Sequence, residues 1–175
     1  ISVIVTTFNR KNMLKTTIKS ILSQSFTQFE LLIIDNFSDY DFLNFVNSFN
    51  DSRIRSFQNK NKGIIAVNRN FGLKRSKGKY IAFCDDDDYW NEDKLLCQIK
   101  AFQNSNTILV SSLALNFGTN TGFFSKNYGF LYNKIKLDYK SLLIFNPIIL
   151  SSTLIKSKVL KKVGGFSEDA NLIAV

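Results

Sequence analysis

Four consecutive aspartates, Asp85, Asp86, Asp87 and Asp88, follow the apolar run Tyr80-Ile81-Ala82-Phe83-Cys84 and precede Tyr89-Trp90. An apolar stretch that ends in contiguous carboxylates predicts a buried strand delivering oxygen ligands at its C-terminal tip, where open α/β sheets bind ligands. Like charges side by side repel, so the run requires something of opposite sign. A hard divalent cation meets that need, and Mg²⁺ in particular is held by one or two carboxylates together with substrate phosphates. The other reading is a strand-to-helix loop whose acids favour the N-terminus of the next helix. A second apolar run, FELLII, ends at Asp35-Asn36. As strands of one parallel sheet, the two runs would bring their acidic tips to a shared edge and a single crevice.

Composition narrows the chemistry. The 175 residues include no histidine, which excludes Ser-His-Asp and Cys-His nucleophiles and histidine-containing zinc sites. Carboxylates, hydroxyls, lysines, arginines or a metal must do the work. Cys84 and Cys97 are the only cysteines and lack metal-ligand spacing, a usage that fits a reduced cytosolic protein better than a disulfide scaffold. With 45% hydrophobic residues, one proline and eight glycines, the chain is expected to form one domain with a sizeable core. No apolar run approaches the ~20 residues that cross a bilayer, and the longest candidate, residues 141–150, is broken by Asn146-Pro147. No basic segment followed by an apolar one reads as a secretory signal.

The formal charge is +9. The lysines and arginines form one cluster at Lys74, Arg75, Lys77 and Lys79 and another at Lys156, Lys158, Lys161 and Lys162. A basic stripe interleaved with stacking aromatics is not seen, so a nucleic-acid partner is not expected. Compositional bias and attraction to an anionic membrane or phosphorylated substrate remain the two accounts of the charge.

Periodicity supplies the frame that positions these groups. Residues 1–7, ISVIVTT, read as a buried strand, followed by Asn9 as cap of a helix with Leu14, Ile18, Ile21 and Leu22 on one face. After the strand ending at Asp35, the residues Phe42, Phe45, Val46 and Phe49 repeat at helical spacing. Residues 54–57 read as a short strand, a helix follows Gly63 through Arg69 to about Arg75, and the strand 79–84 leads into the aspartates. Asn91 is expected to cap a helix with Glu92 and Asp93 in its first turn and Leu95, Leu96, Ile99 and Phe102 inside. Strands alternating with such helices predict βαβ units and a mainly parallel, Rossmann-like sheet flanked by helices. Later segments are a strand at residues 108–115, an irregular aromatic stretch at 116–133, an extended segment within 146–155 and a short helix around Val159 and Leu160.

The order ISVIVTTFNR, ILSQSFTQFELLIIDNFSD, NKNKGIIAVNRNFGLKRSKGKYIAFCDDDDYWNEDKL and NPIILSSTLIKSKVLKKVGGFSED resembles the family 2 nucleotide-sugar-dependent glycosyltransferases of GT-A fold. The resemblance runs from the first residues to the last. It implies a single GT-A domain over 1–175, with a nucleotide-binding half (1–104) and an acceptor-side half (105–175). It implies a nucleotide-binding set of Thr6, Phe8, Asp35, Arg69, Asp85 and Asp86. Phe8 would lay a flat ring on the base, Asp35 would accept from a base N–H as on uracil, and Arg69 would meet phosphate or base. Asp85 and Asp87 match the two acids of a D-x-D motif, with Asp87 the direct ligand of Mn²⁺ or Mg²⁺. Trp90 would line a sugar or acceptor pocket or else anchor the helix after it.

By the residues alone, Phe8 reads equally as core, Asp35 as a turn cap with Asn36 and Ser38, and Arg69 as a solvated helix face. The chain departs from the family pattern at Thr6, where proline is common, and at Asn36, where a second aspartate is common. The E-D-x-D segment that carries the family's catalytic base is expected after Val175, and Glu168 and Asp169 match an earlier acidic position. The implied activity is inverting transfer of a sugar from a nucleotide diphosphate donor, a UDP-sugar being expected, to an acceptor hydroxyl of a cell-surface glycan or glycolipid. The implied partners are a nucleotide-sugar donor and a glycan or lipid-linked acceptor, with the protein cytoplasmic or peripheral at the inner membrane face. The rivals are a nucleotidyltransferase, against which TTFNRKN lacks a glycine-rich loop, and a binding module without turnover.

Overall fold

The computed structural model describes residues 1–102, 106–115 and 148–170. In chain order the elements are β1 (Ser2–Thr7), α1 (Lys11–Leu22), β2 (Glu30–Asp35), α2 (Phe42–Asn47), β3 (Ile54–Gln58) and α3 (Ile65–Arg75). There follow β4 (Tyr80–Asp85), α4 (Lys94–Ala101), β5 (Leu109–Ser111), a 3₁₀ turn (Leu150–Ser152), β6 (Thr153–Lys156) and α5 (Ser157–Lys162).

The six strands lie in the order β3-β2-β1-β4-β6-β5. β1 pairs in parallel with both β2 and β4, and β2 with β3, whereas β6 runs antiparallel to β4 and β5. From β1 the chain winds outward through β2 and β3 and then returns to lay β4 on the other side of β1. That reversal puts the topological switch point, where open α/β sheets bind ligands in a crevice, at the C-terminal ends of β1 and β4.

Burial on both faces explains the near-continuous apolar strands. Val3, Val5, Leu31, Ile33, Ala82 and Cys84 point to one face with Leu14, Ile18, Ile21 and Leu95 from the helices. Ile4, Leu32, Ile34, Ile81 and Phe83 form the other layer with Leu73 of α3 and Leu160 of α5. Helix α3 packs unusually close, because a Cβ on Gly72 would fall 2.7 Å from the Cγ2 of Ile4 and 3.0 Å from the Cδ1 of Ile34.

Two expected helix starts differ. Asn9 does not cap α1: it has φ of 55°, and Arg10 occupies the cap position without a side-chain hydrogen bond. α4 begins at Lys94, so Glu92 and Asp93 precede it, and Asn91 instead accepts the Asp93 N–H at 3.2 Å. The strand expected at 108–115 is confined to Leu109–Ser111. Within 146–155, strand β6 starts only at Thr153, because the Ser152 and Thr153 hydroxyls bond the carbonyls of Ile149 and Leu150 at 2.6 and 2.7 Å. Such local bonds favour a tight turn over an extended chain. The irregular stretch 116–133 lies outside the described residues. No helix among the described residues is long and apolar enough to cross a membrane.

Candidate nucleotide and metal site

Register brings the acids together. Thr7 on β1 stands opposite Asp35 on β2, and Thr6 stands opposite Asp85 on β4. Both acidic tips therefore flank the end of β1 on one edge of the sheet, as the alternating pattern predicted.

The 85–88 segment is a tight turn closed by a hydrogen bond from the Asp88 N–H to the Asp85 carbonyl at 3.1 Å. Its carboxylates have distinct surroundings. Asp86 is buried, 5% exposed, and accepts from the Thr7 hydroxyl at 2.7 Å and from Nη1 of Arg10 at 3.1 Å. Burial still pushes its carboxyl above the ordinary range, despite the opposing pull of Thr7 and Arg10. Asp87 is more open and accepts from the same Nη1 of Arg10 at 2.9 Å. Asp85 accepts from Nη2 of Arg69 at 2.9 Å. Asp88 is also raised by burial, partly offset by a hydrogen bond from the Ser151 hydroxyl.

The turn is held from below by residues with no sequence signature. The Thr17 hydroxyl in α1 donates a shared bond to the carbonyls of Asp86 and Asp88 at 2.9 and 2.8 Å. Ser151 accepts the Asp85 N–H at 3.0 Å through its hydroxyl and the Trp90 indole N–H at 3.0 Å through its carbonyl. Trp90 itself is 3% exposed and belongs to the core. Its burial and the indole bond to Ser151 suit the anchoring role of the two expected for it. The Lys94 ammonium lies 3.8 Å above that ring and bonds Gln98 at 2.9 Å. Its burial lowers the ammonium pKa to about 7.

The other side of the crevice is a stapled pair of loops. The Asn9 N–H donates to the Ser38 hydroxyl, and the Asn9 amide exchanges two hydrogen bonds with Asp39, all at 2.7 Å. The left-handed backbone at Asn9 permits this bridge, a conformation asparagine tolerates better than most residues. Asp35 is fully enclosed: the Ser38 N–H and Gln58 Nε2 each reach it at 3.0 Å, and the Ser38 hydroxyl bonds its other oxygen. This joins the turn-cap reading to the edge position: three donors leave the carboxylate one acceptor site, and its full burial means the surrounding loops must part before a base N–H reaches it. Phe8 is half-exposed, so the ring is not core. The Arg69 side chain is 17% exposed and lies over Phe166 at 5.7 Å, so it is not a solvated helix face. Asn70 holds the C-terminal segment, donating to the Phe166 carbonyl at 2.8 Å and to the Glu168 carboxylate at 2.7 Å.

Among the described residues no group of three or more ligating side chains is clustered for a metal. The Asp85 and Asp87 side chains, 40% and 47% exposed, nevertheless suit a hard cation that takes its other ligands from phosphate and water.

The sequence model described as Glycosyl transferase family 2 matches residues 2–164. The chain belongs to that family. An uncharacterized glycosyltransferase from Haemophilus influenzae is 31% identical over 173 residues, covering 92% of this chain and 64% of that protein. The Escherichia coli UDP-Glc:alpha-D-GlcNAc-diphosphoundecaprenol beta-1,3-glucosyltransferase WfaP is 39% identical over 99 residues, 57% of this chain and 39% of the enzyme. The match takes in well under half of WfaP and less than two thirds of the Haemophilus influenzae protein. Staphylococcus aureus TarS 1-349 in complex with UDP superposes with a TM-score of 0.69 at 20% identity, covering 98% of this chain and 51% of that one. The mannosyltransferase PcManGT from Pyrobaculum calidifontis, solved with GDP-Man and Mn2+, gives 0.72 at 18% identity, covering 96% and 47%. These neighbours establish the GT-A type of α/β fold for this family 2 chain.

Proposed function

We propose that this chain is the donor-binding part of an inverting glycosyltransferase that moves a sugar from a UDP-sugar to a hydroxyl of a lipid-linked glycan. The observation that carries the reading is the convergence of Asp35, Asp85 and Asp87 around the end of β1 at the sheet's switch point. Thr6, Phe8, Asp35, Arg69, Asp85 and Asp86 are assigned to the nucleotide, with Phe8 open to stack and Arg69 held ready beside Asp85. Asp87, with Asp85, would hold Mn²⁺ or Mg²⁺, which when bound supplies positive charge to the leaving diphosphate. Residues 1–104 form the nucleotide half and 105–175 the acceptor-side half. Among the described residues Glu168 is not assigned as the base that takes the acceptor proton, because its carboxylate stays bonded to Asn70. UDP as the nucleotide and a lipid-linked acceptor are supported by WfaP and by the UDP complex of TarS, whose names state those ligands.

A cytoplasmic position, peripheral at the inner membrane face, accords with such an acceptor. The two basic clusters support it: Lys77, Lys79, Lys156, Lys158 and Lys161 line one groove of about 470 Å³. Binding of the complete protein to anionic vesicles is expected to fall steeply with salt. No binding even at low salt would remove this support.

Calorimetric titration of UDP with Mn²⁺, and again with chelator, tests the main reading. Affinity is expected to depend on the metal, and Asp87→Asn is expected to abolish that dependence while the fold persists. Equal affinity with and without metal would overturn the metal assignment.

A further inference from the structure

Sequence patterns do not single out Arg10, yet its guanidinium contacts two carboxylates of the acidic turn at once. One nitrogen, Nη1, bridges Asp86 at 3.1 Å and Asp87 at 2.9 Å. Among the described residues its Nη2 and Nε donate no hydrogen bond. The two ends of the bridge differ. Asp86 is buried and also fixed by Thr7, whereas the Asp87 and Arg10 side chains are 47% and 53% exposed. The backbone beneath Arg10 is held by the Asn9 bridges to Ser38 and Asp39. Only the end of the side chain is therefore free to change partners.

We propose that Arg10 is a place-holding residue: in the unliganded chain its guanidinium neutralises Asp87, and on donor binding it keeps Asp86, releases Asp87 and turns its idle nitrogens to the donor diphosphate. The inference rests on the proposed function, since it takes Asp87 as the metal ligand. Its chemistry is charge exchange. A carboxylate shared with an arginine has less attraction left for a divalent cation, so metal alone competes with Arg10. When the diphosphate arrives with the metal, the guanidinium gains phosphate oxygens that suit its planar fork, and the competition ends. The exposed Arg10–Asp87 pair is of the weak kind that yields readily, while the buried Asp86 end keeps the side chain in reach. Arg69 on Asp85 is the mirror arrangement on the other wall. The acids are thus kept from repelling one another before any ligand is present.

The test uses the full-length protein, with folding of each variant checked by circular dichroism. Binding of Mn²⁺ alone is read from the free-ion electron paramagnetic resonance signal, and binding of UDP at saturating Mn²⁺ from calorimetry. For Arg10→Gln, Mn²⁺ alone is expected to bind about two- to fivefold more tightly, the range of an exposed ion pair. UDP is expected to bind about tenfold more weakly, in keeping with lost charged hydrogen bonds. Arg10→Lys keeps the charge but not the fork, so it should restore competition with Mn²⁺ and only part of the UDP affinity. Unchanged or weaker binding of Mn²⁺ in Arg10→Gln overturns the place-holding role, and unchanged UDP affinity overturns the diphosphate contact. Asp87→Asn separates the two levels of argument. If it binds Mn²⁺ as tightly as the unaltered protein, the metal assignment itself is wrong and Arg10's role falls with it. If it loses Mn²⁺ while Arg10→Gln leaves both affinities unchanged, the metal assignment stands and only Arg10's role fails.

Discussion

The two ends of strand β4 hold opposite charge by opposite means. At its C-terminal end each acid of the 85–88 turn has a named partner: Arg69 for Asp85, Thr7 and Arg10 for Asp86, Arg10 for Asp87 and Ser151 for Asp88. At its N-terminal end, Lys77, Lys79, Lys158 and Lys161 stand exposed around the groove. The hydrogen bonds there come from the main chain, such as the Ser157 N–H to the Lys79 carbonyl at 2.9 Å and the Lys77 N–H to Glu30 at 2.7 Å. Directional contacts with buried ends fix geometry, which metal and phosphate chemistry needs. Exposed ammonium groups at the end of flexible stems supply field without geometry, and salt screens it. Under the proposed function, the first edge serves to bind a shape and the second to attract a sign.

The largest expected effect comes from undoing the support under the acidic edge. Trp90→Ala should cost about 3–5 kcal/mol, the loss of a buried aromatic, measured by urea denaturation. A cost near that of a surface change would mean that the acidic turn does not rest on the core. Thr7→Val comes next: it leaves buried Asp86 without its hydroxyl donor and should cost about 1–3 kcal/mol, read from the same denaturation curves.

A pH series compares a cation beneath the acidic edge with those on the basic edge. The Lys94 ammonium has its pKa lowered to about 7 by burial, whereas in the unfolded chain it titrates near about 10.4. Between these values the unfolded chain binds more protons, so stability should rise as pH increases from about 7. The buried Cys84 thiol, pushed well up by desolvation, opposes this once unfolded thiols ionise near about 8.5. Melting temperature should therefore climb between about pH 7 and 8.5, and Lys94→Met should flatten the climb. A flat profile in the unaltered protein would contradict the burial of this ammonium. The smallest effect belongs to the groove. Replacing Lys77, Lys79, Lys158 and Lys161 together by Gln should alter stability by no more than about 0.5 kcal/mol per site while abolishing salt-sensitive vesicle binding. A large loss of stability would show that the basic edge is structural after all.

What was legible in the chain follows the same division. Strand runs ending in Asp35 and Asp85 announced themselves by apolar continuity, and the βαβ alternation sufficed to put both tips on one edge. Arg69 and Phe8 were readable through the family pattern, with their surroundings decided only by the fold. Thr17 and Ser151 were not readable, because a hydroxyl that bonds a distant carbonyl leaves no periodic trace. Asn9 and Asn91 carry the sequence signature of helix caps without capping, for a related reason: asparagine serves caps, tight turns and bridges between loops alike, and only the loop opposite settles which. Asp35 was placed on the correct edge, but its enclosure by Ser38 and Gln58 depends on loop closure that spacing does not encode.

Gly72 sits one turn from Arg69 on α3, against Ile4 and Ile34. The missing side chain acts as the clearance of a bearing: it sets how deeply the helix seats on the sheet, and so how far the Arg69 guanidinium extends toward Asp85. A single methyl inserted there would work as a shim, lifting the helix and withdrawing the guanidinium without touching any group in the crevice. If Arg69 and Asp85 hold the ligand as proposed, its affinity is tied to a packing distance on the back of a helix, and an inactive variant could arise at a position that no ligand reaches.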